Sequence, residues 1–287
     1  MRQLRLFWVL TMRFTGMAVI DLALYCLAAL ALLLAFFKWG PAFIRERKGF
    51  AGTAAVAAVL LHTLLLYALI FTPHSMDLGF FNAASLVGWL VALIALVTLL
   101  KPHFENLGVV LFPLAGISIL LAEVFPSDRF MVIESSWPLD VHIVLSLISY
   151  SLFAVAALQA ILIAIQEYRL RRRVPGGIWS ALPPLQNMER FLFQLIGAGF
   201  ILLTLALCAG LIFVHNLAAQ HLIHKTVLSV LAWIVFAILL WGRWRFGWRG
   251  HTAIRWTLGG FVVLALAYFG DKLILELILG RHWNLMS

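Results

Sequence analysis

At 287 residues, 64% hydrophobic and 11% charged, with a mean hydropathy of +1.03, this chain carries more apolar side chain than an aqueous fold can bury. A soluble enzyme and a disordered chain are both excluded, and the bilayer is the solvent. The net charge of +9 suggests nucleic acid at first sight, but the basic residues sit in alternate connections between apolar runs. That pattern orients a membrane protein, so the lipid bilayer is the expected partner and nucleic acid is not.

A spanning helix needs about 20 apolar residues. Runs of that kind fall at 18–37, 52–72, 83–100, 107–122, 141–165, 191–214, 226–242 and 253–279. They predict an all-α polytopic transmembrane helix bundle of about eight spans. The residues ahead of the first run carry Arg2, Arg5 and Arg13, and their apolar stretch is too short to cross. Residues 1–16 are either an interfacial amphipathic segment or an extension ahead of a true start at Met12 or Met17, and the second is preferred. Residues 17–287 then form a single membrane domain. No small-residue cleavage site follows a short apolar region, which argues against a signal peptide.

Lys38, Arg45, Arg47 and Lys48 follow the first span, Lys101 the third, Arg169, Arg171, Arg172, Arg173 and Arg190 the fifth, and Arg243, Arg245, Arg249 and Arg255 surround the turn after the seventh. The other connections hold only Arg129 and Lys225, beside the acids Asp77, Glu123, Asp128, Glu134 and Asp140. Positive-inside placement puts the four basic connections in the cytoplasm and both termini on the outer, periplasmic side. Trp39, Trp137, Trp241 and Trp244 fall at span ends, where amphipathic rings prefer to sit. Asp271, Lys272 and Glu276 polarise the second half of the last run, so its end is expected at the outer surface. Cys26 and Cys208 lie inside spans and do not form the C-x-x-C-H pattern of covalent haem attachment.

Polar side chains within spans are costly in lipid and normally face the bundle interior. His142, Ser146 and Ser149 or Tyr150 recur at helical spacing on the fifth span; Thr204, Cys208 and His215 on the sixth; Asn82, Ser85 and Trp89 on the third; Lys225, Ser229 and Trp233 on the seventh. Two interpretations compete. The hydroxyls and histidines are interhelical glue bonded to backbone carbonyls, or the stripes converge on one outward-facing polar cavity in which an imidazole ligates a metal or haem iron. His62, mid-way along the second span, is either a neutral core histidine or an intramembrane cofactor ligand. His215, His221 and His224 crowd one outer connection; His74 and His103 stand alone. Gly247-Trp248-Arg249-Gly250 has the composition of a tight structural turn. No pair of spans shows the matched Gly/Pro interruptions of a transporter's broken-helix site.

The stretches "VHIVLSLISYSLFAVAALQAILIAIQEYRLRR", "LPPLQNMERFLFQLIGAGFILLTLALCAGLIF", "HKTVLSVLAWIVFAILLWGRWRFGWRG" and "AYFGDKLI" resemble, in that order, the CcsA-type cytochrome c assembly membrane proteins, closest to their YpjD/HemX branch. "H-x-x-x-x-L-x-S-Y" and "G-W-R-G" are the more specific marks, and the resemblance covers residues 18–275 or so. It implies an eight-helix haem-handling scaffold with noncovalent haem b held by external histidines. His142 stands where the family has its first external ligand. His282 is offered for the second, a few residues later than the family pattern places it. The tryptophan-rich loop of the haem lyases is missing: here the connection is "HNLAAQHLIHK", with Lys225 and the following helix retained, and Trp241-Gly242 replaces the family histidine near the end of the seventh span.

The expected function is therefore noncovalent haem binding in the service of cytochrome c assembly or haem homeostasis, without stand-alone haem lyase activity. The candidate cofactor residues are His142, His282, His62, His215, His224, Lys225, Ser146 and Trp233, with His142 on the iron and Lys225 or Arg129 available to propionates. Partners would be cytochrome c maturation or haem-pathway proteins. The alternative is a non-catalytic scaffold that regulates a haem-biosynthetic enzyme or a metal-ion transport system.

Overall fold

A chain with no water to satisfy its backbone must close its hydrogen bonds within each span, and an α-helix does so locally. In a computed structural model of the chain, each apolar run accordingly becomes one helix. The structure describes residues 2–37, 48–72, 75–77, 79–100, 104, 107–125, 130–132, 137–172, 183–213 and 223–272. In chain order these form α1 (Arg2–Phe37), α2 (Lys48–Ile70), β1 (Phe71–Thr72), β2 (Ser75–Asp77), α3 (Phe80–Leu99), α4 (Leu107–Val124), β3 (Phe130–Val132), α5 (Trp137–Arg171), α6 (Leu185–Phe213), α7 (Ile223–Phe246) and α8 (His251–Lys272). All eight helices are long and apolar enough to cross a membrane, as the composition required. The three short strands pair antiparallel in the order β1-β2-β3, with Met76 opposite Phe71 on one side and Met131 on the other. They are a small addition to an all-α fold.

Helix α1 runs unbroken through the stretch set apart as residues 1–16, and its membrane-crossing part starts at Phe14. Thr15 donates to Glu123 Oε1 over 3.4 Å, and Phe14 packs on the cluster of Ala18, Leu65, Leu66, Ile70 and Ile119. Helix α5 has 35 residues. At 1.5 Å per residue it is longer than the roughly 30 Å apolar layer, and its last turns carry the charged Glu167, Arg169 and Arg171.

The helices sort into two compact units, Met1–Ile133 and Glu134–Ser287. In the first, α1 packs against α4 and α2, and α3 packs against α4 and α2. Small residues set these distances, because lipid gives no hydrophobic drive between helices and dispersion needs close approach. A Cβ on Gly116 of α4 would lie 3.0 Å from Leu22 Cα on α1. Ala28, Ala55, Ala58, Ala92, Ala95 and Ala115 are fully buried. Larger side chains, Tyr25, Phe112 and Ile119, fill the remaining space.

In the second unit α5 packs along α6 and α8, while α7 packs against α8 and α6. Phe153 and Phe236 stack with ring centroids 3.9 Å apart. Each ring has a glycine against it: a Cβ on Gly199 would come 3.1 Å from Phe153 Cζ, and one on Gly260 2.9 Å from Phe236 Cζ. The Gly247–Gly250 turn joins α7 to α8 as its composition predicted, with φ +67° at Gly247 and +57° at Gly250, a region that glycine enters without a Cβ penalty. Arg243 Nη1 donates to Trp248 O over 3.1 Å, and Gly250 N–H donates to Glu189 Oε1 over 2.8 Å. A buried carboxylate on α6 thereby closes the start of α8.

Candidate functional site

The second unit builds its polar site on one face of α6. At 100° per residue, Gly199, Ala206 and Gly210 share a face, whereas Phe200 and Thr204 share another about 120° round the helix. Helix α5 meets the first face. Its Ser149 hydroxyl donates to Gly199 O over 2.8 Å, and the His142 ring lies on Gly210, where a Cβ would come 3.0 Å from Cε1 and 3.2 Å from Nδ1. With no side chain there, His142 Nδ1 reaches Ala206 O at 2.7 Å. A carbonyl oxygen can only accept, so Nδ1 carries a proton, which in the neutral imidazole leaves the lone pair on Nε2. No hydrogen bond to Nε2 forms among the described residues. An imidazole held by a carbonyl at Nδ1 can, when neutral, offer Nε2 to a metal.

Helix α7 meets the other face. Trp233 Nε1 donates to Thr204 Oγ1 over 2.9 Å, its ring stacks on Phe200 at 5.4 Å, and Thr204 in turn donates to Phe200 O. His142 and Trp233 therefore meet α6 on different faces, since Gly210 and Thr204, six residues apart, lie about 120° apart around the helix. Ser146 lies one turn along from His142 and is half-buried. Lys225 is half-buried in the first turn of α7 and has an interaction partner. Tyr150 is buried against Phe261, Tyr268 and Phe269. The side chain of His224 lies outside the described residues, as do His215, His221, His282, Arg129, His74 and His103 entirely.

A second polar cluster occupies the interior of the first unit. His62 on α2 is fully buried; its Nε2 is 3.0 Å from Ser85 Oγ on α3 and its Nδ1 3.2 Å from Tyr25 Oη on α1. With both nitrogens within hydrogen-bond distance of neighbouring side chains and no exposed edge, His62 has the geometry of a core histidine, one of the two readings its sequence position left open. Asp21 Oδ2 lies 3.7 Å from His62 Nδ1, and both residues are fully buried. Asp21 and Tyr25 escaped the sequence reading. The signal was present: an acid inside the first apolar run, with a tyrosine one helical turn later on the same face. Asn82 donates to Asp77 O over 3.3 Å, and Asp77 Oδ1 accepts Gly79 N–H over 2.9 Å. These two residues shape the entry to α3.

Residues 51–279 match the family model described as Cytochrome C assembly protein. The chain belongs to the cytochrome c assembly protein family. It is 33% identical to Inner membrane protein YpjD of Escherichia coli over 261 residues, covering 89% of this chain and 98% of that one. More distant members include Cytochrome c biogenesis protein CcsA of Trieres chinensis, 24% identical over 92% of this chain and 95% of that one, and Protein HemX of Brevibacillus brevis, 22% identical over 74% and 72%. No solved structure matches. As a member of the cytochrome c assembly family with these spans, the chain is a multi-pass inner-membrane protein, linked by its family to cytochrome c biogenesis.

Proposed function

We propose that this cytochrome c assembly family member binds haem b noncovalently on the periplasmic side of the membrane, serving cytochrome maturation or haem homeostasis, and that it is not a stand-alone haem lyase. The observation that carries this is the His142 ring: Nδ1–H donates to Ala206 O over 2.7 Å, so Nε2 is the available ligand atom. The donor chemistry fits haem iron, for which a neutral histidine oriented by a carbonyl is a common axial ligand. Bound haem would supply a redox-active iron.

The chain's own part is positioning. Ala206 O fixes the tautomer, Gly210 keeps the space that lets the ring reach it, and the apolar faces of the helices exclude water. His282, His215 and His224 are the candidates for a second ligand, and Lys225 or Arg129 would pair with propionates. Ser146, one turn from His142, would lie along the same side. Trp233 is engaged with Thr204 on the other face of α6 and is not assigned to the ligand set. The termini are periplasmic in this proposal, on the strength of the basic connections.

A second reading has its own support. Ser149, Thr204 and Trp233 all form bonds between or within helices of the second unit, as in a scaffold that holds a partner and no cofactor. The absorption spectrum of the protein purified in detergent separates the two. A Soret band that His142→Ala diminishes or shifts is the expected result; a native chain without one supports the scaffold.

A further inference from the structure

The Asp21 carboxylate is fully buried, and neither of its oxygens has a hydrogen-bond partner among the described residues. Around it α1 contributes Tyr25, α2 contributes His62, and α3 contributes the neutral Ser85. Helix α4 presents Phe112 and Gly116 to α1, and its Glu123 is held by Thr15, nearly two turns before Asp21. No Lys or Arg occurs in Phe14–Ala35, Gly49–Ile70, Phe80–Leu99 or Leu107–Val124, so no fixed cation from these spans neutralises Asp21. Groups of three or more His, Cys, Asp or Glu able to hold a metal ion are absent among the described residues. A bare carboxylate without donors in such a place is strongly disfavoured, and among the described residues the nearest group that can take up a positive charge is the His62 imidazole.

We propose that Asp21 and His62 form a membrane-embedded proton-binding site that holds one proton, carried by Asp21 Oδ2 or by His62 Nδ1, which lie 3.7 Å apart. Tyr25 and Ser85 bound it by hydrogen bonds. With Nε2–H donated to Ser85 Oγ, the Nδ1 lone pair faces both Tyr25 Oη and Asp21 Oδ2. The pair is neutral with the proton on either atom. On transfer one O–H bond breaks on Asp21, one N–H bond forms on His62, and no other reactant takes part. The proposal is independent of haem binding at His142, which lies in the other unit.

Nuclear magnetic resonance on the full chain in detergent, labelled with carboxyl-13C aspartate and 15N histidine, tests it. Asp21→Asn and His62→Gln assign the two signals; if Asp21→Asn does not fold, Asp21→Glu replaces it and is identified by loss of the aspartate signal. At neutral pH the expected result is one proton on the pair, seen as a protonated Asp21 carboxyl beside a neutral His62 or as an imidazolium beside a carboxylate. His62→Gln should then shift the Asp21 signal and leave those of the other aspartates in place. An ionised Asp21 beside a neutral His62, two protons on the pair, or an Asp21 signal indifferent to His62→Gln would overturn the proposal.

Discussion

The imidazole of His142 rests on Gly210, so close that a single added carbon on that glycine would lie 3.0 Å from the ring. The hydrogen bond to Ala206 O depends on that missing carbon. Gly210→Val is therefore expected to displace the ring, at the usual overpacking cost of about 1–3 kcal/mol. Haem content should fall as it does in His142→Ala, with the protein still extracted as a folded bundle. His103→Ala, altering a histidine with no companions, should leave haem content unchanged. Haem per protein, measured for the three variants, checks this, and equal retention in all three would remove His142 and Gly210 from the site.

The contact between α1 and α4 passes through Gly116, whose added Cβ would meet Leu22 backbone at 3.0 Å. A backbone cannot rotate away as a side chain can. Gly116→Ala should cost about 1–3 kcal/mol, the usual range for overpacking. Gly197→Ala, where a Cβ meets nothing within 4 Å, should be neutral or slightly stabilising. Thermal denaturation of the two variants in one detergent gives the comparison; equal melting temperatures would show that the helices move apart freely at Gly116.

Orientation follows from the basic connections. A reporter fused after Ser287 should be active only in its periplasmic format, and one inserted within 175–179 only in its cytoplasmic format. The reverse at both sites would invert the protein and place His142 at the cytoplasmic end of its helix.

Covalent attachment of haem requires the apocytochrome thiols and the vinyl groups to be held in near-attack geometry. The connection "HNLAAQHLIHK" is short beside the tryptophan-rich loop expected for that task. Expressed in cells lacking their own cytochrome c synthase, this chain should leave haem-stained covalent cytochrome c at background. Restoration of that stain, lost again in His142→Ala, would make the protein a synthase.

Much was legible from the sequence alone. The number of spans, their order and the class of fold depend on hydropathy summed over each run of about 20 residues, a local quantity, and the structure returns a helix for every run. The Gly247–Gly250 turn was legible for the same reason, since its glycines mark backbone geometry where they stand. His142 could be singled out because a titratable side chain at the lip of an apolar helix is costly wherever the rest of the chain goes.

What a histidine does there is not local. The choice of ring nitrogen rests on Ala206, 64 residues away, and on the absent side chain of Gly210. The separation of the His142 and Trp233 stripes depends on which face of α6 each neighbour meets. Asp21 shows the same limit: read along its helix it is one acid in an apolar run, and only the packing of α1, α2 and α3 sets it beside His62, Tyr25 and Ser85. Hydropathy determined which segments enter the membrane; the close approach of helices at glycine and alanine decided which polar groups meet, because hydrogen bonds act over about 3 Å and cannot be read from a pattern that averages over whole turns.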